Sequence, residues 1–237
     1  MRFKAVFLDA GETMIHPHPS FGELFAEVLA EAGHQVEIQR ILDTVSVYSQ
    51  RWAETARRDG PWSTSSSASR DFWMQIYAGF LADLGVQGEA PKLEELAQTM
   101  YRTFSDPGSY RAYPDVLPAL EALAERGYTL GLVSNFEEWL ELILEAVEIT
   151  AFMPVRVISG LEGIEKPDPR IFEIALERAG VAAEESVYVG DHPHFDVEAS
   201  EAVGMFPVLI DRHGRYGDAA GARIESLVEL PDLLERV

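Results

Sequence analysis

Apolar residues gather in five short, nearly unbroken runs: FKAVFLD (3–9), TLGLVS (129–134), PVRVIS (154–159), SVYVGD (186–191) and FPVLID (206–211). Continuous Val, Ile, Leu and Phe predicts strands covered on both faces, as in a parallel sheet. Between the later runs the apolar positions recur at helical spacing, in PDVLPALEALAERG (114–127) and PRIFEIALERAG (169–180). Both stretches stop at a glycine, and Pro169 suits the start of the second. Strand and helix alternating through the second half predict an open, doubly wound α/β sheet with five main strands.

The alternation breaks after Met14. About a hundred residues separate the first run from the second, far beyond the length of a loop. Their pattern is helical in SFGELFAEVLAEAG (20–33), EIQRILDTVSVYSQRWAETARR (37–58), SRDFWMQIYAGFLADLG (69–85) and KLEELAQTMYRTF (92–104). A four-helix unit inserted between the first strand and the rest of the sheet is expected. The polar interruption DGPWSTSSSAS (59–69) reads as a mobile surface loop rather than a lid that gates substrate.

Composition narrows the function classes. A chain of 237 residues, 47% apolar and 25% charged, is ordinary for a globular protein and long enough for one core plus a smaller unit. No apolar run approaches the roughly 18 residues of a membrane helix. The start, MRFKAVFLDAG, is too short in apolar residues for a secretory signal, so the mature chain is expected to begin at Met1 and stay in the cytoplasm. The lack of cysteine excludes disulfides, thiolate zinc sites and thiol nucleophiles. A formal charge of −21, from 19 basic and 40 acidic residues, argues against nucleic acid and anionic membranes as partners. An anionic substrate then needs local positive charge from a metal or a placed lysine. Lysine occurs only at Lys4, Lys92 and Lys166, and asparagine only at Asn135.

In an open α/β sheet, ligands bind beyond the carboxyl ends of the strands. Asp9, Ser134 with Asn135, Lys166, and Asp191 followed by Asp196 all fall at or just past such ends. Their types suit phosphoryl transfer. A carboxylate can attack phosphorus and form an acyl phosphate, and paired carboxylates hold Mg²⁺. A serine hydroxyl with the backbone N–H groups after it can bind phosphoryl oxygens. A lysine balances the clustered negative charge. Helix capping is the other reading of Asp191 and Asp196, before FDVEASEAVGM.

Taken in order, these residues resemble the four motifs of the haloacid dehalogenase-like (HAD) hydrolase superfamily, of the helical-cap (C1) type. Asp9 with Thr13 matches the first motif, Ser134 in GLVSNF the second, Lys166 in GIEKPDPRIF the third, and Asp191 with Asp196 in VGDHPHFD the fourth. The resemblance implies a Rossmann-like core over 1–16 and 112–237 and a helical cap over 17–111. It implies Asp9 as nucleophile, with Thr13, Ser134, Asn135 and Lys166 on the phosphate. Mg²⁺ would be held by Asp9, the Gly11 carbonyl and Asp191, with Asp196 supporting it directly or through water. The implied substrate is a small phosphorylated metabolite.

One position departs from that pattern. Phosphatases of this family carry a second aspartate two residues after the nucleophile, as the acid for the leaving group and base for the hydrolytic water. Here the position is Gly11. Glu12, or His16 and His18 on the linker to the helical unit, are candidate substitutes; otherwise Glu12 is an exposed turn acid or the ion-pair partner of a cap arginine, and the histidines a proline-stiffened hinge. His192 and His194 make a histidine metal site conceivable on weak evidence. A phosphonate-cleaving branch would need a cap lysine, for which Lys92 is the one candidate. Three functions follow: a Mg²⁺-dependent phosphatase, a metal-independent 2-haloacid dehalogenase, or a phosphate-binding regulatory protein without turnover. Substrate choice is expected on the cap, where Arg51, Arg57, Arg58, Arg70, Trp52, Trp62 and Trp73 are candidates.

Overall fold

The structure is a computed structural model describing residues 2–45, 60–217 and 221–237. Its centre is strand β1 (Ala5–Leu8), every residue of which is buried. Side chains alternate across a strand, and β1 serves two layers accordingly. Val6 and Leu8 enter one apolar cluster, Ala5 and Phe7 the cluster on the opposite face. That requirement explains the continuous apolar run.

Six parallel strands form the sheet, in the order β5–β4–β1–β6–β7–β8. They are β4 (Thr129–Ser134), β5 (Val155–Ile158), β6 (Ser186–Gly190), β7 (Phe206–Ile210) and β8 (Ala222–Ile224), besides β1. All five predicted strands are present. The sixth escapes periodicity because it spans three residues, Ala-Arg-Ile, of which only Ile224 is buried. Helices α5 (Val116–Glu125), α6 (Leu140–Ala146) and α10 (Leu230–Leu234) cover one face of the sheet. The other carries α8 (Pro169–Ala179) and α9 (Ala199–Ala202). A single turn, α7 (Ser159–Glu162), follows β5. Helix α8 begins and ends as its sequence dictates: the Asp168 side chain accepts from Arg170 N, Pro169 occupies the first turn, and Gly180 closes it in the left-handed region.

Between β1 and β4 the chain leaves and re-enters through an antiparallel ribbon, β2 (Ile15–Pro17) paired with β3 (Tyr110–Ala112). The helices in between are α1 (Phe21–Glu31), a helical segment α2 (38–45), α3 (Ser66–Asp83) and α4 (Ala90–Phe104). They surround an apolar cluster of their own that includes Phe25, Leu29, Phe80, Leu81 and Met100. Most of the predicted second helix, with Arg51, Trp52, Arg57 and Arg58, lies outside the described residues. Among the described residues no helix is long and apolar enough to cross a membrane.

The expectation of a mobile surface loop at 59–69 is corrected over its described part, 60–69. Trp62, Ser63 and Ser69 are buried. Ser65 caps α3 by accepting from Ala68 N. Serine-rich composition signalled exposure, whereas these hydroxyls and amides are satisfied by carboxylates of the sheet domain.

Candidate active site

Parallel strands bring all their carboxyl ends to one edge, and this sets the positions of the polar residues. Asp9 follows β1 and still donates its N–H to Val189 O of β6, at 2.9 Å. Ser134 ends β4, and Asp191 follows β6. Lys166 sits beyond α7, 157 residues from Asp9 in the chain, yet its Nζ donates to Asp9 Oδ1 at 2.8 Å. The same ammonium donates to Asp196 Oδ1 at 2.6 Å and to the Tyr188 hydroxyl at 2.9 Å. Gly190 makes the arrangement fit: a Cβ there would stand 2.3 Å from Asp196 Cγ. The carboxylate can approach the strand only because the side chain is missing.

Asp9, Ser134, Lys166, Asp191 and Asp196 line a cavity of about 960 Å³ shared with Gly11, Glu12, Asn135 and residues of the helical unit. Carboxylate oxygens of Asp9, Asp191 and Asp196 lie within 4.8 Å of one another. Burial pushes the Asp9 carboxyl up; Lys166 opposes this, and the Asp196 charge reinforces it. Asp191 is pushed well up by burial, with Asp196 and Asp9 adding to the effect and Arg215 opposing it. Burial works to lower Lys166, but Asp196 and Asp9 outweigh it and hold the ammonium above its ordinary range. Three crowded carboxylates with a hard oxygen donor set are suited to a divalent cation such as Mg²⁺.

Other expected residues are placed differently. Asn135 lines the cavity, but its side chain clamps the lysine loop: Nδ2 donates to Lys166 O at 2.8 Å, and Oδ1 accepts from Lys166 N at 2.7 Å. Thr13 is fully buried with its hydroxyl unpartnered and is absent from the cavity lining. Ile15 and Pro17 of β2 face the cavity, so alternation turns His16 away; neither His16 nor His18 lines it. His16 instead stacks near Tyr113, ring centres 4.5 Å apart. Glu12 does line the cavity, and its Oε2 accepts from Tyr113 (2.9 Å) and His213 (3.2 Å). Burial raises that carboxyl, yet those two hydrogen bonds prevail and hold it below its ordinary range. Its Oε2 is thus already engaged by two neighbours.

His192 and His194 line the cavity without forming a metal-binding group among the described residues. His192 Nδ1 accepts from His194 N and Phe195 N, capping a wide π turn over Pro193–Glu198. The cap of that turn is thus His192, not Asp191, while Asp196 Oδ2 accepts from His192 N at 2.9 Å. His194 Nδ1 pairs with Glu198 at 2.8 Å. Lys92 and Arg70 are exposed and outside the lining, whereas Trp62 and Trp73 belong to it.

Several site residues were not singled out by the motifs. Tyr188 is a polar tip within a buried apolar strand, three residues before Asp191, which was the available signal. Arg215 Nη2 donates to Asp191 Oδ2 at 3.0 Å, and the buried Asp211 carboxylate holds its loop by accepting from Arg215 N and Tyr216 N. Glu165 and Glu137 are buried carboxylates reaching the helical unit. Glu165 accepts from the N–H groups of Trp62 and Ser63 and from the Ser63 hydroxyl; Glu137 accepts from Ser69 and Tyr101. Nothing local in the sequence separates them from surface acids.

Comparison with known proteins agrees with this fold. The description "haloacid dehalogenase-like hydrolase" matches residues 3–204. This chain belongs to the haloacid dehalogenase-like hydrolases. The hydrolase is 28% identical to haloacid dehalogenase-like hydrolase domain-containing protein 3 of Danio rerio over 207 residues, covering 87% of this chain and 84% of that one. It is also 28% identical to a phosphoserine phosphatase of Thermus thermophilus, over 97% of this chain and 94% of the relative. Among solved structures, an L-2-haloacid dehalogenase superposes with a TM-score of 0.76 at 18% identity, covering 99% of this chain and 100% of that one. That likeness speaks for the fold.

Proposed function

We propose that this hydrolase is a Mg²⁺-dependent phosphatase that cleaves a small phosphomonoester through an aspartyl-phosphate on Asp9. The observation that carries the reading is the buried Lys166 ammonium bridging Asp9 and Asp196 on the floor of the cavity. In the first step an Asp9 oxygen attacks phosphorus and the bond to the leaving oxygen breaks, its electron pair going with that oxygen. Lys166 fixes Asp9 through Oδ1 and offsets charge gathering on the phosphoryl group. Ser134, with the backbone amides after it, would bind phosphoryl oxygens. Water then attacks phosphorus, releasing phosphate and restoring the carboxylate. Asp9, Asp191 and the Gly11 carbonyl would hold Mg²⁺, with Asp196 in support; the ion would supply charge neutralisation and orientation of the phosphate.

Hydrolysis of aryl and alkyl phosphates with and without Mg²⁺ tests the reading. Metal-dependent turnover that falls by at least about 10³-fold in Asp9→Asn is expected, since an amide cannot form the acyl phosphate. Turnover unchanged in that variant would sink it. Gly11 favours a second reading, a phosphate-binding protein without turnover. Calorimetry detecting tight phosphate binding with no hydrolysis of any ester would support it. Metal-independent halide release from a 2-haloacid would instead select the dehalogenase reading.

A further inference from the structure

The cavity has two ends of different chemistry. Its floor carries the charged groups, while among the described residues the helical unit contributes Phe21, Trp62, Ser69, Trp73, Tyr77, Tyr101, Phe104 and Ser105, none of them charged. Four of these aromatic rings form a stacked row. Trp73 lies 5.8 Å from Tyr77, Tyr77 6.0 Å from Phe104, and Phe104 4.8 Å from Phe21, at interplanar angles of 26°, 24° and 23°. Phe136 and Trp139, after β4, supply further aromatic lining, packed edge to face at 4.7 Å. Phe21, Trp73, Phe136 and Trp139 are each only partly buried. Aromatic walls of this kind hold flat apolar ligands through offset stacking and area burial.

Gly11 has no side chain, Glu12 already accepts from Tyr113 and His213, and His16 and His18 are outside the lining. None of these positions offers a proton to the departing oxygen. An alkoxide leaves poorly without one, whereas a phenol, with a pKa of about 10, departs as phenoxide.

We propose that the substrate class of this site is a bulky aryl phosphate monoester, its ring against the Trp73–Tyr77–Phe104–Phe21 row and its phosphate on Asp9. The proposal rests on the phosphatase reading above and deepens it. The Asp9 oxygen forms the new bond to phosphorus, the aryl oxygen keeps the electron pair, and the phenoxide takes its proton from water after release. A substrate carrying a carboxylate finds no countercharge on the aromatic wall among the described residues. Glu137 and Glu198, which also line the cavity, would repel it.

The test uses the full chain with Mg²⁺ on 2-naphthyl phosphate, phenyl phosphate, a cyclohexylalkyl phosphate, O-phosphoserine and acetyl phosphate. Naphthyl should exceed phenyl phosphate by about tenfold or more in kcat/KM, mainly through KM. The alkyl ester of similar bulk should fall about 10²–10⁴-fold below the aryl esters. Trp73→Ala should erase the naphthyl preference, and Trp73→Phe should restore part of it. Equal turnover of alkyl and aryl esters would overturn the proposal, and so would a preference for O-phosphoserine. If Asp9-dependent acetyl phosphate hydrolysis is present without any aryl preference, only this proposal fails. If acetyl phosphate and every ester are inert, the phosphatase reading fails and this one falls with it.

Discussion

At the scale of single residues, Gly11 is open to test by substitution. A Cβ there would meet nothing within 4 Å, and its backbone is outside the left-handed region. Neither sterics nor conformation requires glycine. Gly11→Asp should therefore leave stability within about 1 kcal/mol while adding a carboxyl that can serve as proton donor at that position. Hydrolysis of an alkyl phosphate should rise by about 10²-fold or more, and that of a good aryl leaving group far less. Parallel kcat/KM measurements on the two esters check this. An alkyl rate unmoved in a well-folded variant would mean that another group already supplies the proton.

At the scale of elements, the segment before α3 is tied to the residue beside Lys166. Glu165 accepts from Trp62 N at 3.0 Å and from Ser63 N and Oγ at 2.6 Å each, while Ser63 Oγ also meets Ser159 Oγ at 2.6 Å. Hydrogen bonds to a charged group contribute about 1.5–3 kcal/mol each at most, and less when shared. Glu165→Gln replaces one accepting oxygen with an amide donor facing backbone N–H groups. Exchange of backbone amides at 60–69 should accelerate by about tenfold or more, with Ser63→Ala showing a smaller increase. Hydrogen exchange resolved by peptide is the readout, and unchanged protection would show that the aromatic contacts of Trp62 with Phe72 and Trp73 hold the segment unaided.

At the scale of the whole molecule, charge placement sets stability against pH in two opposing ways. Burial raises the Asp115 carboxyl, but hydrogen bonds from Arg212, Ser226 and Leu227 N overcome it and hold it below its ordinary range. The stability it confers is present above the unfolded pKa and is lost as pH falls through the lower folded value. Thermal stability should thus fall below about pH 4. Asp115→Ala, which strips the mostly buried Arg212 of its carboxylate, should cost about 3 kcal/mol at neutral pH and flatten that acid limb. Asp9 and Asp191 act oppositely, because their raised folded values favour the fold when protonated and that stability is lost as pH rises through them. Mg²⁺ should accordingly stabilise the fold at pH 7, by about 2.7 kcal/mol at a hundredfold excess over Kd, and raise Tm. Asp191→Asn should raise the metal-free Tm and abolish the response to Mg²⁺. A scan showing an undiminished Mg²⁺ shift in that variant would remove Asp191 from the metal site.

The order of elements was legible in the chain because burial on two faces leaves continuous apolar runs, and a helix on a sheet leaves a periodic one. Asp9, Ser134 and Asp191 were legible as a set because parallel strands share one carboxyl edge, which requires no knowledge of distances. The tertiary structure alone decided what those residues touch. Strand alternation in the three-residue β2 turned His16 outward, and packing of β7's following loop brought Arg215 to Asp191. Glu165 and Glu137 look like surface acids until the helical unit lies against them. Local patterning encodes which side of an element is buried, whereas contacts between groups a hundred residues apart depend on how the elements pack.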